Sequence, residues 1–403
     1  MKQGSVIIGG GGPVGLLTAL ALGRAGIKVT LFEQGDVQNQ DPRAATIHPA
    51  SLDLLDDLGV YKRIEPLGLI APIVHYWDHS KRELVAAFDH AILAGETRHP
   101  WVLQCEQNKV SRVLFEMISA VPEIEVYTGR KVLRCSQTSD YVDVVVQLPN
   151  GNEESHRCTF LVAADGAKST IRAQAGIAFE GFTYPERFVI IGTPYDFTKE
   201  GYAYRNYMSD PVEWANLFKI SWNGPPGIWR IVVPARPDED RETLRREETA
   251  QEKLQRFCPR DQPYEIALIN HYTVDQRVAA TFRAGRILLA GDAAHLNSPI
   301  GGMGMNSGIH DALNLSENLI RLMNGQEDEK ALDRYVRQRR YVAVNHVQTI
   351  TLANKRNMEQ RDPEKRREYF DGLRHAAEDP ELAKKFLMRT SLIDSLRDVA
   401  RIQ

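Results

Sequence analysis

Ser5-Val6-Ile7-Ile8 reads as a buried strand, and Gly10-Gly11-Gly12-Pro13-Val14-Gly15 follows it at once. Leu16 to Ala25 then has the pattern of a helix, closed near Gly26. Lys28-Val29-Thr30-Leu31-Phe32 is a second strand that ends in Glu33. Strand, glycine turn, helix and strand define a βαβ unit, and few folds accept that order at the start of a chain. Each part has a task. Gly10 permits the tight turn, Gly12 lets the backbone approach a pyrophosphate, and Gly15 lets helix and strand pack closely. Glu33 stands where a carboxylate can hold ribose hydroxyls, which favours an adenosine with a free 2′-OH. At this point FAD and NAD fit equally well.

A second strand-then-turn is Phe160-Leu161-Val162-Ala163-Ala164, running into Asp165-Gly166-Ala167-Lys168-Ser169 and Arg172. A plain NAD dehydrogenase domain has no need for it. The third is Ile287-Leu288-Leu289-Ala290, a buried parallel strand that stops at Gly291-Asp292. Pro299 and the glycine-rich Gly301-Gly302-Met303-Gly304-Met305-Asn306 come next. From Ser307, the apolar spacing of Ala312, Leu315 and Leu319 predicts a helix. A carboxylate at a strand end can hold a sugar hydroxyl, and a helix N-terminus offers N–H groups to electron-rich oxygens.

Between these turns the texture varies. Asp41-Pro42-Arg43-Ala44 closes a polar loop, and Arg43 is placed to reach a pyrophosphate. Helices are expected over Ser51–Leu58 and Asn108–Ala120, with Gln107 at the start of the latter. Val126–Arg134 and Tyr141–Leu148 alternate as a hairpin or meander would. Ile73 to Leu84 reads as strand. From Phe182 to Asn270 aromatics gather and short alternating runs such as Ile228–Val233 predict an antiparallel sheet, able to roof a pocket for a flat organic molecule. Arg205, Arg230 and Arg236 are the nearest cations to anchor such a molecule, although each reads individually as a surface charge. Ala331 to Leu352 is helical, and its arginines at 334, 337, 339 and 340 read as a solvated face. The tail from Asp362 to Ile402 is helical with breaks at two Asp-Pro pairs, and packs on the body or on a second subunit.

Composition removes several classes. The formal net charge is −3 with no dominant basic run, so nucleic acid and anionic membranes are poor partners. Four cysteines lie far apart without CxxC spacing, which fits a reducing cytoplasm and argues against a zinc site or a disulfide framework. No apolar run reaches the ~18 residues of a membrane span, and no signal peptide is expected.

The three boxes, GGGGPVG, ADGAKSTIR and RILLAGDAAH…PIGGMGMNSGIHDA, stand in an order that resembles the single-component FAD-dependent aromatic hydroxylases with the fold of 4-hydroxybenzoate hydroxylase. The likeness covers roughly Ser5 to Arg340, and the stretch Ala353-Asn354-Lys355-Arg356 is similar to members acting on 4-nitrophenol-type phenols. A thioredoxin-like domain of the larger phenol hydroxylases is not expected. The resemblance implies an α/β FAD-binding domain over residues 1–72, 100–180 and 270–345. It implies an inserted antiparallel β-sheet substrate domain over 73–99 and 181–269, then C-terminal helices over 346–403.

It also implies roles. Gly10, Gly12 and Gly15 would cradle the FAD pyrophosphate and Glu33 the adenosine ribose. Arg43 would contact FAD, Gln107 the ribityl region, and Asp292 the ribityl hydroxyls. Asp165 would belong to a DG box serving FAD and the nicotinamide cofactor, with Arg172 as companion. The Pro299 carbonyl would face the reacting end of the substrate, and the N–H groups of Gly302, Gly304, Met305 and Asn306 the flavin pyrimidine. Gly11 stands where the family often has Ala. The implied reaction hydroxylates an electron-rich aromatic, a substituted phenol or hydroxypyridine. NAD(P)H and O₂ are consumed, and a flavin C4a-hydroperoxide carries the oxygen. A phenol reacts best as phenolate, so a base is expected, with His48, His75, Tyr204 and Tyr207 as candidates. Alternatives are a same-fold reductase or halogenase, a non-flavin NAD dehydrogenase, or a binding module with structural FAD. A halogenase would carry WxWxIP, and the spacing of Trp222 and Trp229 does not match. A homodimer is left open.

Overall fold

The computed structural model describes residues 4–36, 44–236 and 238–403. Its first layer is a six-stranded sheet. Ser5–Gly9 lies at its centre, parallel to both Lys28–Glu33 and Phe160–Ala163. Phe160–Ala163 pairs in turn with Ile287–Leu289, again parallel. The three strands that carry the sequence boxes are thus neighbours, and their C-terminal ends point the same way. Val6, Ile8, Leu161, Val162, Leu288 and Leu289 are fully buried. Helices cover the sheet, as continuous apolar strands require. Helix Pro13–Arg24 packs against Met303–Met323, so the first and last boxes share one helical layer.

One expected hairpin resolves differently. Ile124–Thr128 is the edge strand of the parallel sheet, paired with Lys28–Glu33. Lys131–Gln137 belongs to a separate three-stranded antiparallel sheet with Val142–Gln147 and Glu153–Cys158. The break falls at Gly129, whose φ of +68° turns the chain between the two sheets.

The second body is an eight-stranded sheet. Hairpin Ile73–Asp78 with Glu83–Asp89 forms one end, joined in parallel by Arg205–Ser209. Alternation then sets two faces. Tyr76 and Tyr207 lie with the cluster that includes Ile300, Met303 and Met358. Trp77, Tyr204 and Met208 lie with Phe197, Trp229 and Phe257 on the other side.

The C-terminal helices Pro363–Glu378, Pro380–Thr390 and Ile393–Arg401 pack on the first of these faces. Asp362 and Asp379 each accept two N–H groups of the following turn, with proline at the first helical position. Arg366 reaches back to Asp78 at 2.6 Å, tying the tail to the sheet edge. Among the described residues no helix is long and apolar enough to cross a membrane.

The arginines of the Lys330–Val342 helix are not one solvated face. Arg339 is 1% exposed and meets the fully buried Asp311 at 2.6 Å. Spacing placed it among its charged neighbours, but its turn of the helix faces Met303–Met323. A guanidinium is stable there only because a carboxylate waits for it.

Candidate active site

The three strand ends open into one groove of about 560 Å³, within the usual range for ligand sites. Gly10, Gly12, Glu33, Gln107, Asp165, Asp292, Gly304 and Met305 all line it. Arg130 and Lys131 join them, and nothing in their sequence context singled them out.

The glycines differ in what they permit. Gly10 has φ +110°, and a Cβ there would come within 2.2 Å of the Ala164 carbonyl. A Cβ on Gly15 would sit 2.0 Å from the Gly10 carbonyl. Both glycines allow chain to pass against chain. Gly12 has an ordinary φ of −72° and empty space where its Cβ would be. Its bareness leaves room in the groove and serves no internal packing need. This cradle fits an extended pyrophosphate.

Glu33 accepts the Gly11 N–H at 2.6 Å and the Gly35 N–H at 2.7 Å, so it braces the glycine turn. A Cβ at Gly11 would press on the Glu33 side chain at 2.8 Å. Asp165 is turned toward its own helix. It accepts from Ser169 Oγ at 2.5 Å and from the Ile171 N–H at 3.1 Å. Burial raises its pKa, and those hydrogen bonds only partly oppose the rise. Arg172 does not belong to the groove lining. It donates to the carbonyls of Ala293 and Ala167 and stacks over Phe179, locking the middle turn to the last one. Arg43 lies outside the described residues.

Helix Met303–Met323 begins at Gly302, whose φ is +70°, and no side chain caps it. Its first N–H groups are therefore available beside the groove. Asn306 secures this end. It is fully buried, accepts the His48 N–H at 2.8 Å, and donates to the carbonyls of Thr46 and Gly302. Asn306→Ala should cost about 1–3 kcal/mol, because it strands a buried N–H and two carbonyls. Urea unfolding followed by circular dichroism measures this, and an unchanged midpoint would contradict it.

The loop before this helix is where the two bodies meet. The Pro299 carbonyl accepts the Gly302 N–H at 2.9 Å, so one lone pair is engaged within the turn. His48 Nε2 lies 2.8 Å from the Gly301 carbonyl and donates to it. That leaves Nδ1 as a buried acceptor with no partner among the described residues. Burial first, and the neighbouring Arg205 second, hold His48 neutral by lowering its pKa well below the usual value. Tyr207 and Arg205 approach from the sheet, 2.8 Å apart. Arg205 is 8% exposed, so it is no surface charge. Arg230 is buried as well, whereas Arg236 is partly exposed in ion pairs with Glu239 and Glu252.

Tyr204 and His75 are not brought to this loop. Tyr204 packs edge-on against Trp229, and His75 lies beside Trp77, both on the opposite face. The odd-even alternation of a strand separates Tyr204 from Tyr207, three positions on, which spacing alone reveals only once the strand is placed.

Beneath Asp292 lies a buried polar knot. Asp311 accepts the Gly291 N–H at 3.0 Å, His295 Nε2 at 2.7 Å and Arg339 Nε at 2.6 Å. Burial alone would raise the Asp311 pKa, but His295 and Arg339 hold it well below the usual carboxylate range. This knot fixes where the Asp292 turn stands. Among the described residues no group of three or more His, Cys, Asp or Glu could hold a metal.

Residues 3–350 match the family described as "FAD binding domain". The chain is 34% identical over 397 residues to para-nitrophenol 4-monooxygenase of Pseudomonas sp. (strain WBC-3), covering 98% of this chain and 97% of that one. It is 32% identical over 405 residues to 6-hydroxy-3-succinoylpyridine 3-monooxygenase HspB of Pseudomonas putida (strain DSM 28022 / S16), covering 100% and 97%. The crystal structure of p-nitrophenol 4-monooxygenase PnpA from Pseudomonas putida DLL-E4 superposes with a TM-score of 0.91 at 35% identity, covering 98% of each chain. A groove shaped for a dinucleotide, joined to likeness over the whole chain, sets aside the non-flavin dehydrogenase. The chain belongs to the FAD-binding family, among its FAD-dependent aromatic monooxygenases.

Proposed function

We propose that this enzyme inserts oxygen into a para-substituted phenol or hydroxypyridine at the expense of NAD(P)H. For simple hydroxylation, ArH, O₂, NAD(P)H and H⁺ give ArOH, NAD(P)⁺ and H₂O. The observation that carries this reading is the meeting at Gly301. There the loop leaving the FAD groove receives His48 from one side and Arg205 from the aromatic-rich sheet. The names of the two relatives support the substrate class. Each acts on a ring with a hydroxyl para to the carbon it oxygenates.

FAD, when bound, supplies hydride acceptance and oxygen activation. The residues of this chain do the rest. Gly10, Gly12 and Gly15 make the pyrophosphate cradle, with Glu33 toward the ribose and Gln107 and Asp292 toward the ribityl chain. The uncapped helix start at Gly302, Gly304, Met305 and Asn306 favours negative charge on the reduced ring. Pro299 orients the substrate end of the loop. His48 accepts a proton poorly, because burial disfavours its cation, and Nδ1 is instead a hydrogen-bond acceptor for a neutral donor. Tyr207 reaches the loop through Arg205, whereas Tyr204 lies on the opposite face of the sheet. A reducing cytoplasm suits the cysteines at 105, 135, 158 and 258, none of which forms a disulfide.

The test is a panel of substituted phenols and hydroxypyridines on the FAD-loaded enzyme. Substrates should accelerate NAD(P)H oxidation, yield oxygenated product, and lower the share of oxygen lost as hydrogen peroxide. With 4-nitrophenol, oxygen entering at the nitro-bearing carbon would release nitrite. If no member of the panel accelerates NAD(P)H oxidation, the reading fails.

A further inference from the structure

Most buried cations in this fold meet a carboxylate. Arg339 meets Asp311, Arg366 meets Asp78, Lys253 meets Glu213 and Glu239, and Lys355 meets Glu186 and Glu359. Arg172 has none but divides its guanidinium between two carbonyls. Arg205 differs from these five. It is 8% exposed, and no carboxylate lies within ion-pairing distance among the described residues. Its hydrogen-bond partners among the described residues are the Tyr207 hydroxyl at 2.8 Å and the Gly301 carbonyl at 3.4 Å, both reached by one nitrogen, Nη2. A guanidinium has five donors, so among the described residues Nε and Nη1 keep theirs for a further acceptor.

The titratable neighbours offer no compensating charge. His48 is held neutral by burial and by Arg205 itself. His90 is lowered to about 4 for the same two reasons. Burial raises the phenols of Tyr76 and Tyr369 far above neutrality. Among the described residues, the positive charge between the sheet and the Pro299 loop therefore has no counter-charge and is largely out of water. Such a charge is costly unless an anion joins it.

Resting on the reading above, we propose that Arg205 is the receptor for the phenolate oxygen of the substrate, with Tyr207 as its companion donor. The pair binds the ionised ring preferentially and thereby supplies the electron-rich form without a strong base nearby. An alternation of one residue places both side chains on the same face of strand Arg205–Ser209, so they present one forked donor set.

The test uses the FAD-loaded enzyme and 4-nitrophenol as probe, without NAD(P)H. Its phenolate absorbs in the visible and its phenol in the near ultraviolet, so difference spectra report the bound form. At a pH below the probe's own pKa, the wild type should bind it as phenolate. Arg205→Gln should bind it as phenol, with roughly 10- to 100-fold weaker affinity. Arg205→Lys should keep part of the phenolate signal. FAD content, which reads folding, should be unchanged in both. The methyl ether 4-nitroanisole, which cannot ionise, should bind weakly to all three. A wild type that binds the neutral phenol, an Arg205→Gln enzyme with unaltered affinity and signal, or an ether that binds as tightly as the phenol would each overturn the proposal. Should Arg205→Gln lose its FAD, the wild-type spectrum and the ether still decide. No binding of the probe also counts against Arg205, and the phenol panel then shows separately whether the aromatic substrate class survives.

Discussion

Asp311→Ala should destabilise this protein by about 3–5 kcal/mol, because it abandons Arg339 in the core without a counter-charge. Typical domains hold only about 5–15 kcal/mol in total, so the loss is a large share. Three groups lose their acceptor at once: the Gly291 N–H, His295 Nε2 and Arg339 Nε. The turn bearing Asp292 loosens with them, so FAD should leave before the chain unfolds. Urea titration followed by both flavin fluorescence and circular dichroism separates the two events. Asp311→Asn, which keeps an acceptor but no charge, should fall between. The pH dependence has a definite sign. Asp311 has a depressed folded pKa, so its contribution is complete above the unfolded value of about 3.9 and is lost as pH falls through the folded one. The gap between wild type and variant should thus be level across the neutral range and close only in acid. A loss under about 1 kcal/mol would show that the knot is not what holds the turn.

The second large effect separates two glycines of one motif. Gly12→Val should leave stability near that of the wild type, since φ is −72° and no atom lies within 4 Å of the new Cβ. It should nevertheless weaken FAD binding by roughly 10- to 100-fold, because overfilling a close-packed site costs about 1–3 kcal/mol. Gly10→Ala should do the reverse at first. Its Cβ meets the Ala164 carbonyl at 2.2 Å, and φ is +110°, so the folded chain itself is strained. Thermal unfolding of the apo proteins, beside FAD titration of each, reads the contrast. Equal losses of apo stability in both variants would sink the distinction.

Much of the first body is legible from local pattern. Strand, glycine turn and helix can be read at Ser5–Arg24 because each residue's conformational need is local. Asp292 is legible as a strand-end carboxylate for the same reason, and the two Asp-Pro pairs announce their own caps. The second body is less so. Its strands alternate, but which set of side chains faces the site depends on a sheet assembled from residues 73–89, 179–279 and 295–296. Hence Tyr204 and Tyr207 read alike along the chain, yet they face opposite ways. Arg205 and Arg339 read as surface charges because most arginines are, and nothing adjacent to either reveals its burial.

Taken alone, the sequence determined the βαβ start, the order of the three strand-end turns, and through them the FAD-binding class. Those features arise from backbone freedom and hydrophobic period, which act over a few residues. Tertiary structure alone decided that Asp165 and Arg172 brace the turns, that Arg205 shares Gly301 with His48, and that Asp311 sits beneath Asp292. Such facts depend on which distant segments exclude water from one another, and burial fixes the charge a group can bear only after the whole chain has packed.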